Sequence, residues 1–305
     1  MESLQQGAEA GNAQAQYQLG ARLLVGRGAP FAPPQGLKWV QAAASQRHPQ
    51  ALALLAVLTS LSGDWPEAFK LLRRAADAGE PLARVQAGIL ANPAQFDREQ
   101  WNLPLAPRWQ SESPRIGIIE RCIPRAFCDW IIGRARWKLD AARVQDPATG
   151  EVRQMDVRTN SGTGFSLVES DLLLQMVNAR VGAAIGVPLS HQEPTNVLHY
   201  APGEEYRAHY DYFTQAEPHV GDLQVAGQRT VTVLIYLNDD YEGGETDFPE
   251  LGWRYKGGTG DALMFWNTTP EGEPDPRTLH AGLPPTRGEK WLYSKWVRAK
   301  PYPLL

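Results

Sequence analysis

A short pattern occurs three times in the N-terminal third of this chain, and it restricts the fold there more than any other feature. Gly11-Asn-Ala-Gln-Ala-Gln-Tyr-Gln-Leu19 comes back as Arg47-His-Pro-Gln-Ala-Leu-Ala-Leu-Leu55, then as Gly79-Glu-Pro-Leu-Ala-Arg-Val-Gln-Ala87. Between the copies lie Lys38-Trp39-Val-Gln-Ala-Ala43 and Phe69-Lys-Leu-Leu-Arg-Arg-Ala-Ala76. All five stretches are rich in Ala, Leu and Gln at helical spacing, so they predict helices. Each unit reads as a helix pair, and a period of about 34 residues is that of stacked helical repeats. Small Ala and Gly residues at recurring positions let neighbouring helices approach. Gly26-Arg-Gly28-Ala-Pro30 and Gly63-Asp-Trp-Pro66 supply the turns. The expected domain runs over residues 1–91.

The pattern then changes. Residues 92–113 exchange Ala-rich periodicity for Pro, Trp, Gln, Ser and Arg, and read as an inter-domain connector. A second domain is expected over 114–305. It opens with a strand at Ile116–Glu120 and a helix at Pro124–Ile132, the latter carrying Cys128 as a packing residue. Trp137 to Phe165 reads as loop, with Asp146–Gly150 a clear turn. Asp171 to Gly186 reads as an amphipathic helix with Leu172, Leu173, Met176, Val177, Val181, Ala184 and Ile185 as its stripe. From Thr195 onward, short β-type runs alternate with Gly and Pro turns, which predicts a jelly roll. The fold class is therefore α+β, with helical repeats preceding a β domain that keeps supporting helices.

Composition removes several function classes. The 305 residues are 43% hydrophobic, enough for one large domain or two smaller ones. A net charge of −4 gives no reason to propose nucleic-acid or membrane-surface binding. Two cysteines, Cys122 and Cys128, make no disulfide framework. No signal peptide is visible at the N-terminus, and no apolar run approaches the roughly 20 residues that span a bilayer. A cytoplasmic location is the expectation, and its reducing conditions suit a ferrous ion.

His209 and Asp211, in Tyr206-Arg-Ala-His209-Tyr-Asp211-Tyr-Phe213, stand two apart, which puts both side chains on one face of a strand. An imidazole and a carboxylate so placed supply two ligands for a divalent metal. A third histidine would complete the facial set used for non-haem Fe(II), leaving positions open for a cosubstrate and O₂. His280, in Arg277-Thr-Leu-His280-Ala-Gly282-Leu-Pro284, is the candidate. An H-x-D pair is by itself a weak signal, and six histidines leave the choice open. Ten residues beyond His280, Lys290 is placed to return to the same pocket and pair with an anion.

The wider motifs close that choice. Tyr200-Ala-Pro-Gly203-Glu-Glu-Tyr206 leads into the His209 stretch. Then come Arg229-Thr-Val-Thr232-Val-Leu-Ile-Tyr236-Leu-Asn238, Glu242-Gly-Gly-Glu245-Thr-Asp-Phe248-Pro249 and His280 to Trp296. In identity, order and spacing these resemble the prolyl 4-hydroxylase family of Fe(II)- and 2-oxoglutarate-dependent dioxygenases, over about residues 114 to 300. The N-terminal region resembles Sel-like repeats, a tetratricopeptide relative.

The family resemblance implies a double-stranded β-helix. It implies an iron held by His209, Asp211 and His280, with 2-oxoglutarate as cosubstrate, O₂ as oxidant and L-ascorbic acid as a reductant. It assigns the far carboxylate of 2-oxoglutarate to Lys290, Thr232 and Tyr200, since a buried dianion needs a cation and hydroxyl donors. On strand pattern alone, Thr232 and Tyr200 read as ordinary packing. Glu193 and Arg158, the latter in an Arg158-Thr-Asn160 element, fall where the family orients its substrate; both equally fit structural ion pairs. His191, His199 and His219 have no fitting partner and are not ligand candidates, and Trp266, Trp291 and Trp296 read as barrel packing.

The implied function is hydroxylation of a prolyl residue in a peptide or protein, with release of succinate and CO₂. The presence of Asp211 favours hydroxylation, because related halogenases lack this carboxylate. Hydroxylation of a free amino acid or other small molecule is the alternative. A non-catalytic repeat adaptor with a degenerate barrel, and a Zn²⁺ hydrolase with the same ligands, are weaker readings: His209, Asp211, His280 and Lys290 are all intact, and hydrolysis needs no cosubstrate anchor. The repeats either recruit a protein substrate along a concave surface or serve as a helical cap.

Overall fold

The protein is described here by a computed structural model covering residues 1–142, 144–145, 152–153, 157–214 and 220–302. The Asp146–Gly150 turn and His219 lie outside the described residues. The chain divides into two compact units. One holds residues 1–102 with Phe165–Ala179; the other holds Leu103–Gly164 and, of the remaining described residues, those of 180–302.

The first unit contains six consecutive helices: α1 (Glu2–Glu9), α2 (Ala13–Val25), α3 (Pro33–Ser45), α4 (Pro49–Leu61), α5 (Trp65–Asp77) and α6 (Pro81–Ala91). The repeated pattern has a physical meaning, because its second residue is each time a helix N-cap. The Asn12 side chain accepts the Ala15 N–H at 2.9 Å, His48 Nδ1 accepts that of Ala51 at 3.3 Å, and the Glu80 carboxylate accepts that of Ala83. Pro49 and Pro81 follow at the first helical position, where a missing N–H costs nothing. Helices α2 and α3 cross at Gly20 and Gly36. A Cβ on either glycine would lie 2.8 Å from the other's carbonyl oxygen, so the small residues are a condition of this crossing. Ala43, Ala51, Ala56, Ala68, Ala75 and Ala83 are all fully buried between the helices.

The same unit takes in the start of the helix Leu172–Ile185. The Gln86 amide oxygen on α6 accepts the N–H groups of Leu172 and Leu173, at 3.0 and 3.3 Å, while Asp171 accepts that of Leu174. Residues 171–178 are buried on every side, where the sequence predicted a single apolar stripe.

In the second unit an eight-stranded antiparallel sheet runs in the order Arg108–Glu112, Arg115–Ile119, Ala262–Trp266, Arg229–Tyr236, Lys290–Arg298, Thr195–Tyr200, Ser161–Phe165, Asp140–Ala141. A four-stranded sheet follows the order Trp253–Tyr255, Thr246–Phe248, His280–Gly282, Tyr206–His209. One buried cluster draws on both: Ile116, Ile118, Leu198, Leu234, Tyr236, Leu263, Phe265 and Leu292 from the large sheet, and Phe248 from the small one. This is a double-stranded β-helix with helical support. The stretch expected to be a connector contributes more than that: Arg98–Asn102 is a short helix and Arg108–Glu112 is the first strand of the large sheet. Trp109 there packs across from Trp266 with Arg115 stacked over both rings, and those contacts set its register better than its polar composition suggests.

Candidate active site

Strand pairing brings the ligand candidates together. His280 lies directly opposite His209 across the antiparallel pair, so both rings leave the same face. Their centroids are 4.3 Å apart. The carboxylate of Asp211 sits between them, with Oδ1 3.7 Å from His209 Nε2 and Oδ2 3.5 Å from His280 Nε2. One ligand atom from each of the three residues falls within 4.8 Å of the other two.

The outer contacts decide which atoms are free. His209 Nδ1 donates to the Arg207 carbonyl at 2.8 Å, and His280 Nδ1 donates to the Thr278 carbonyl at 3.0 Å. Each imidazole is thereby held as the Nδ1–H tautomer, with the Nε2 lone pair turned to the centre of the cluster, as a metal ligand requires. Burial, reinforced by His280, pushes the His209 imidazole down to about 3, so it is neutral. Burial also opposes ionisation of Asp211, but His280, His209 and the Thr232 hydroxyl outweigh it and hold the carboxyl below its ordinary range. Two inward-facing imidazole nitrogens and a buried carboxylate fit a divalent cation.

The cluster opens into a cavity of about 400 Å³, mouth included, lined also by Arg158, Leu198, Tyr200, Tyr206, Leu234, Thr246, Ala281, Gly282, Lys290, Leu292, Ser294 and Trp296. Lys290 is fully buried, and its Nζ has no hydrogen-bond partner. Burial pulls its ammonium down to about 7, only partly offset by the Glu245 carboxylate. Its neighbour across the strands is Tyr200, whose ring centroid is 4.9 Å from Nζ. The phenol of Tyr200 reaches over Gly282, where a Cβ would come within 3.0 Å of the hydroxyl. An orphaned buried cation beside a phenol fits a carboxylate of a bound acid.

Two sequence expectations are corrected here. Thr232 is fully buried but does not line the cavity. Its hydroxyl donates to Asp211 Oδ2 at 2.7 Å and accepts from the Asn267 amide at 2.9 Å, so it supports a ligand and has no proton left for a cosubstrate. The threonine that does face the cavity is Thr246, whose hydroxyl is 2.8 Å from that of Tyr236. Glu193 is likewise absent from the cavity wall. Its carboxylate is held by Arg229 through two bonds of 2.8 and 2.9 Å and by Arg298 at 3.0 Å, a geometry that leaves nothing for substrate. These arginines outweigh burial and keep Glu193 ionised below the ordinary range.

Arg158 lies at the cavity wall. Its guanidinium lies 4.4 Å above the Tyr206 ring, and Tyr206 in turn stacks on His209 at 3.4 Å. Sequence reasoning missed Tyr206 and Thr246 as cavity residues and assigned Trp296 to packing alone. Trp296 does pack, under Arg229 at 3.8 Å, but it also lines the cavity. Strand alternation was the available signal for Thr246, but it requires the register of a three-residue strand that nothing in the sequence marks. His199 bonds Ser161 and packs on Trp291, and His191 bonds the Arg298 carbonyl; neither joins the cluster.

A four-stranded sheet delivers two histidines to the mouth of a β-helix, above a buried lysine. The carboxylate comes from the bend two residues past the strand end at His209 rather than from the strand itself. This arrangement defines the site of an Fe(II) and 2-oxoglutarate-dependent oxygenase. Comparison with known proteins agrees. The model of the 2OG-Fe(II) oxygenase superfamily matches residues 195–298. The chain is 36% identical over 208 residues to Prolyl 4-hydroxylase 1 of Arabidopsis thaliana, covering 64% of this chain and 72% of that protein. It is 35% identical over 211 residues to Probable prolyl 4-hydroxylase 10 of the same plant, covering 63% and 71%. Among solved structures, a viral collagen prolyl hydroxylase from Paramecium Bursaria Chlorella virus-1, in complex with 2OG, is 28% identical with a TM-score of 0.47, covering 60% of this chain and 96% of that one. The chain belongs to the prolyl 4-hydroxylase-like 2OG-Fe(II) oxygenases, and it is a 2-oxoglutarate-dependent dioxygenase that uses Fe(II).

Proposed function

We propose that this protein hydroxylates a prolyl residue within a peptide or protein, releasing succinate and CO₂. The observation that carries the reading is Lys290: a buried, unpartnered ammonium facing the same cavity as the His209, Asp211 and His280 cluster. His209 Nε2, an Asp211 oxygen and His280 Nε2 would hold the iron. When bound, the iron with 2-oxoglutarate and O₂ supplies the oxidising chemistry, which protein side chains cannot. The chain's own residues bind and orient. Lys290 and the Tyr200 hydroxyl take the far carboxylate of 2-oxoglutarate, with Thr246 beside them. Leu198, Leu234 and Leu292 keep water from the reacting end, and Arg158 on Tyr206 stands at the wall where the substrate enters. L-ascorbic acid would serve to restore ferrous iron.

A polypeptide is favoured over a free amino acid by the groove that runs on from the cavity. It is lined by Asp140, Gly162, Thr163, Gly164 and Asn196, and it shares Arg158 and Leu198 with the cavity. An open groove lined by glycines accommodates an extended chain, whereas a free amino acid needs enclosure on all sides. The related proteins' names as prolyl 4-hydroxylases support the same substrate class. Recruitment of that polypeptide by α1 to α6, in the cytoplasm, completes the proposal.

The test is succinate release from 2-oxoglutarate with Fe(II) in air, with proline-containing peptides, for wild type and His209→Ala. Peptide-stimulated succinate and a 16-Da mass gain on proline, both lost in His209→Ala, are the expected result. Turnover with free amino acids and none with peptides would sink the polypeptide reading.

A further inference from the structure

The supports of Asp211 and His280, two of the three residues read above as iron ligands, are parts of one buried chain of hydrogen bonds. Asp211 Oδ2 accepts from the Thr232 hydroxyl at 2.7 Å, and that hydroxyl accepts from the Asn267 side-chain amide at 2.9 Å. The Asn267 backbone carbonyl accepts the Asp275 N–H at 2.9 Å. The Asp275 carbonyl accepts both the Thr278 hydroxyl, at 2.7 Å, and its N–H, at 3.1 Å. The Thr278 carbonyl closes the chain on His280 Nδ1 at 3.0 Å. All six residues are buried.

Proton counting fixes the direction at the Asp211 end. Thr232 has a single hydroxyl proton, and an ionised carboxylate can only accept. The proton therefore goes to Asp211, and Asn267 must present its NH₂ rather than its carbonyl to Thr232. The Asn267 backbone is held as well, its N–H bonded to the Thr230 carbonyl at 2.9 Å. Among the described residues, the Asn267 side chain makes its hydrogen bond to Thr232 alone, its own Oδ1 having no partner. Thr232 engages Asp211 Oδ2, which leaves Oδ1 without a hydrogen bond and available to a metal. His209 stands apart, with its Nδ1 partner on its own strand at Arg207.

We propose that Thr232 and Asn267 are positioning residues of the metal site: they hold Asp211 as a one-oxygen ligand and tie its orientation to that of His280 through the 267–278 segment. The inference rests on the reading of His209, Asp211 and His280 as metal ligands. Loss of an outer partner of this kind typically weakens metal binding about 10- to 100-fold. A cosubstrate contact, by contrast, would leave metal binding unchanged when no 2-oxoglutarate is present.

The experiment is Co(II) titration of the full-length protein without 2-oxoglutarate, read by its visible ligand-field bands, for wild type, Thr232→Val, Thr232→Ser and Asn267→Ala. Weaker Co(II) binding by about tenfold or more in Thr232→Val, with altered bands, and recovery in Thr232→Ser, is the expected result. Should the valine variant not fold, weaker binding in Asn267→Ala beside wild-type binding in Thr232→Ser supports the proposal equally. Wild-type affinity and bands in both Thr232→Val and Asn267→Ala would overturn it. Failure of the wild type itself to take up Co(II) would overturn the ligand reading beneath it.

Discussion

The helical unit and the sheet unit bury polar groups for opposite reasons. Among the described residues of the helical unit no lysine, arginine or histidine is buried, and its buried carboxylates, Glu80 and Asp171, cap helices through partners three residues away. The sheet unit buries Lys290, Lys295, Arg298, Glu193, Asp211 and His280. Their partners come from distant chain: Arg298 reaches Glu193 across 105 positions, and Lys295 reaches the Thr195 hydroxyl across 100. In the first unit the buried carboxylates serve the ends of their own helices, and Gln86, which reaches Leu172 across 86 positions, is uncharged. In the second, charged side chains are taken out of water, so each charge must be answered by another part of the fold. Among the described residues, the buried ammonium left without a hydrogen-bond partner is Lys290, and it marks where a ligand has to come.

This contrast can be broken by experiment. The largest effect is expected at Glu193, where Glu193→Gln leaves Arg229 and Arg298 facing a neutral amide. Removing one partner from a buried ion cluster costs roughly 3–5 kcal/mol. Denaturant unfolding should show a loss of that order, and a change below about 1 kcal/mol would mean that water screens the cluster. Next comes the helix crossing. Gly20→Val places methyl groups on the Gly36 carbonyl and should cost about 1–3 kcal/mol by overpacking. Amide exchange should rise within Ala13–Ser45 while Arg229–Tyr236 keeps its protection; equal acceleration in both would erase the distinction between local and distant stabilisation.

The smallest effect is the most diagnostic. Burial lowers Lys290 from its ordinary 10.5 to about 7 in the ligand-free protein, so above that pH the site is increasingly neutral. A bound dianion favours the ammonium, so binding at higher pH must take up a proton. Affinity for 2-oxoglutarate should be level below about pH 7 and fall above it, approaching tenfold per pH unit. The sign for stability is the reverse. Between about 7 and 10.5 the unfolded chain binds more protons at Lys290 than the folded one, so the ligand-free protein gains stability from this group as pH rises. Calorimetric titration of 2-oxoglutarate across this range checks the first sign, and denaturant midpoints check the second. An affinity that stays flat to pH 9 would remove Lys290 from the binding role.

Much of the molecule was legible before its structure. The helix pairs follow from caps and prolines at Asn12, His48, Pro49, Glu80 and Pro81, whose effects reach only three or four residues, so a linear pattern contains them. The ligand types were legible because chemistry restricts them: few side chains other than His209, Asp211 and His280 could serve a ferrous site in that order, and motif context selected among the histidines. Lys290 followed because a buried acid demands a cation. The limits of the connector were not legible, since the Arg108–Glu112 strand exists by virtue of its pairing with Arg115–Ile119 and by the stacking of Trp109, Arg115 and Trp266.

By itself, then, the sequence determined which chemistry the protein could carry and where its helices begin, because those depend on residue identity and near neighbours. Only the tertiary structure decided which hydroxyl meets which charge. Thr232 and Thr246 are the same residue type on neighbouring motifs; one supports Asp211 across 21 positions and the other faces the cavity. Glu193 became an arginine partner rather than a substrate contact for the same reason. A single-residue slip in strand register reverses the face of every side chain, and register is set by contacts between strands far apart in the chain.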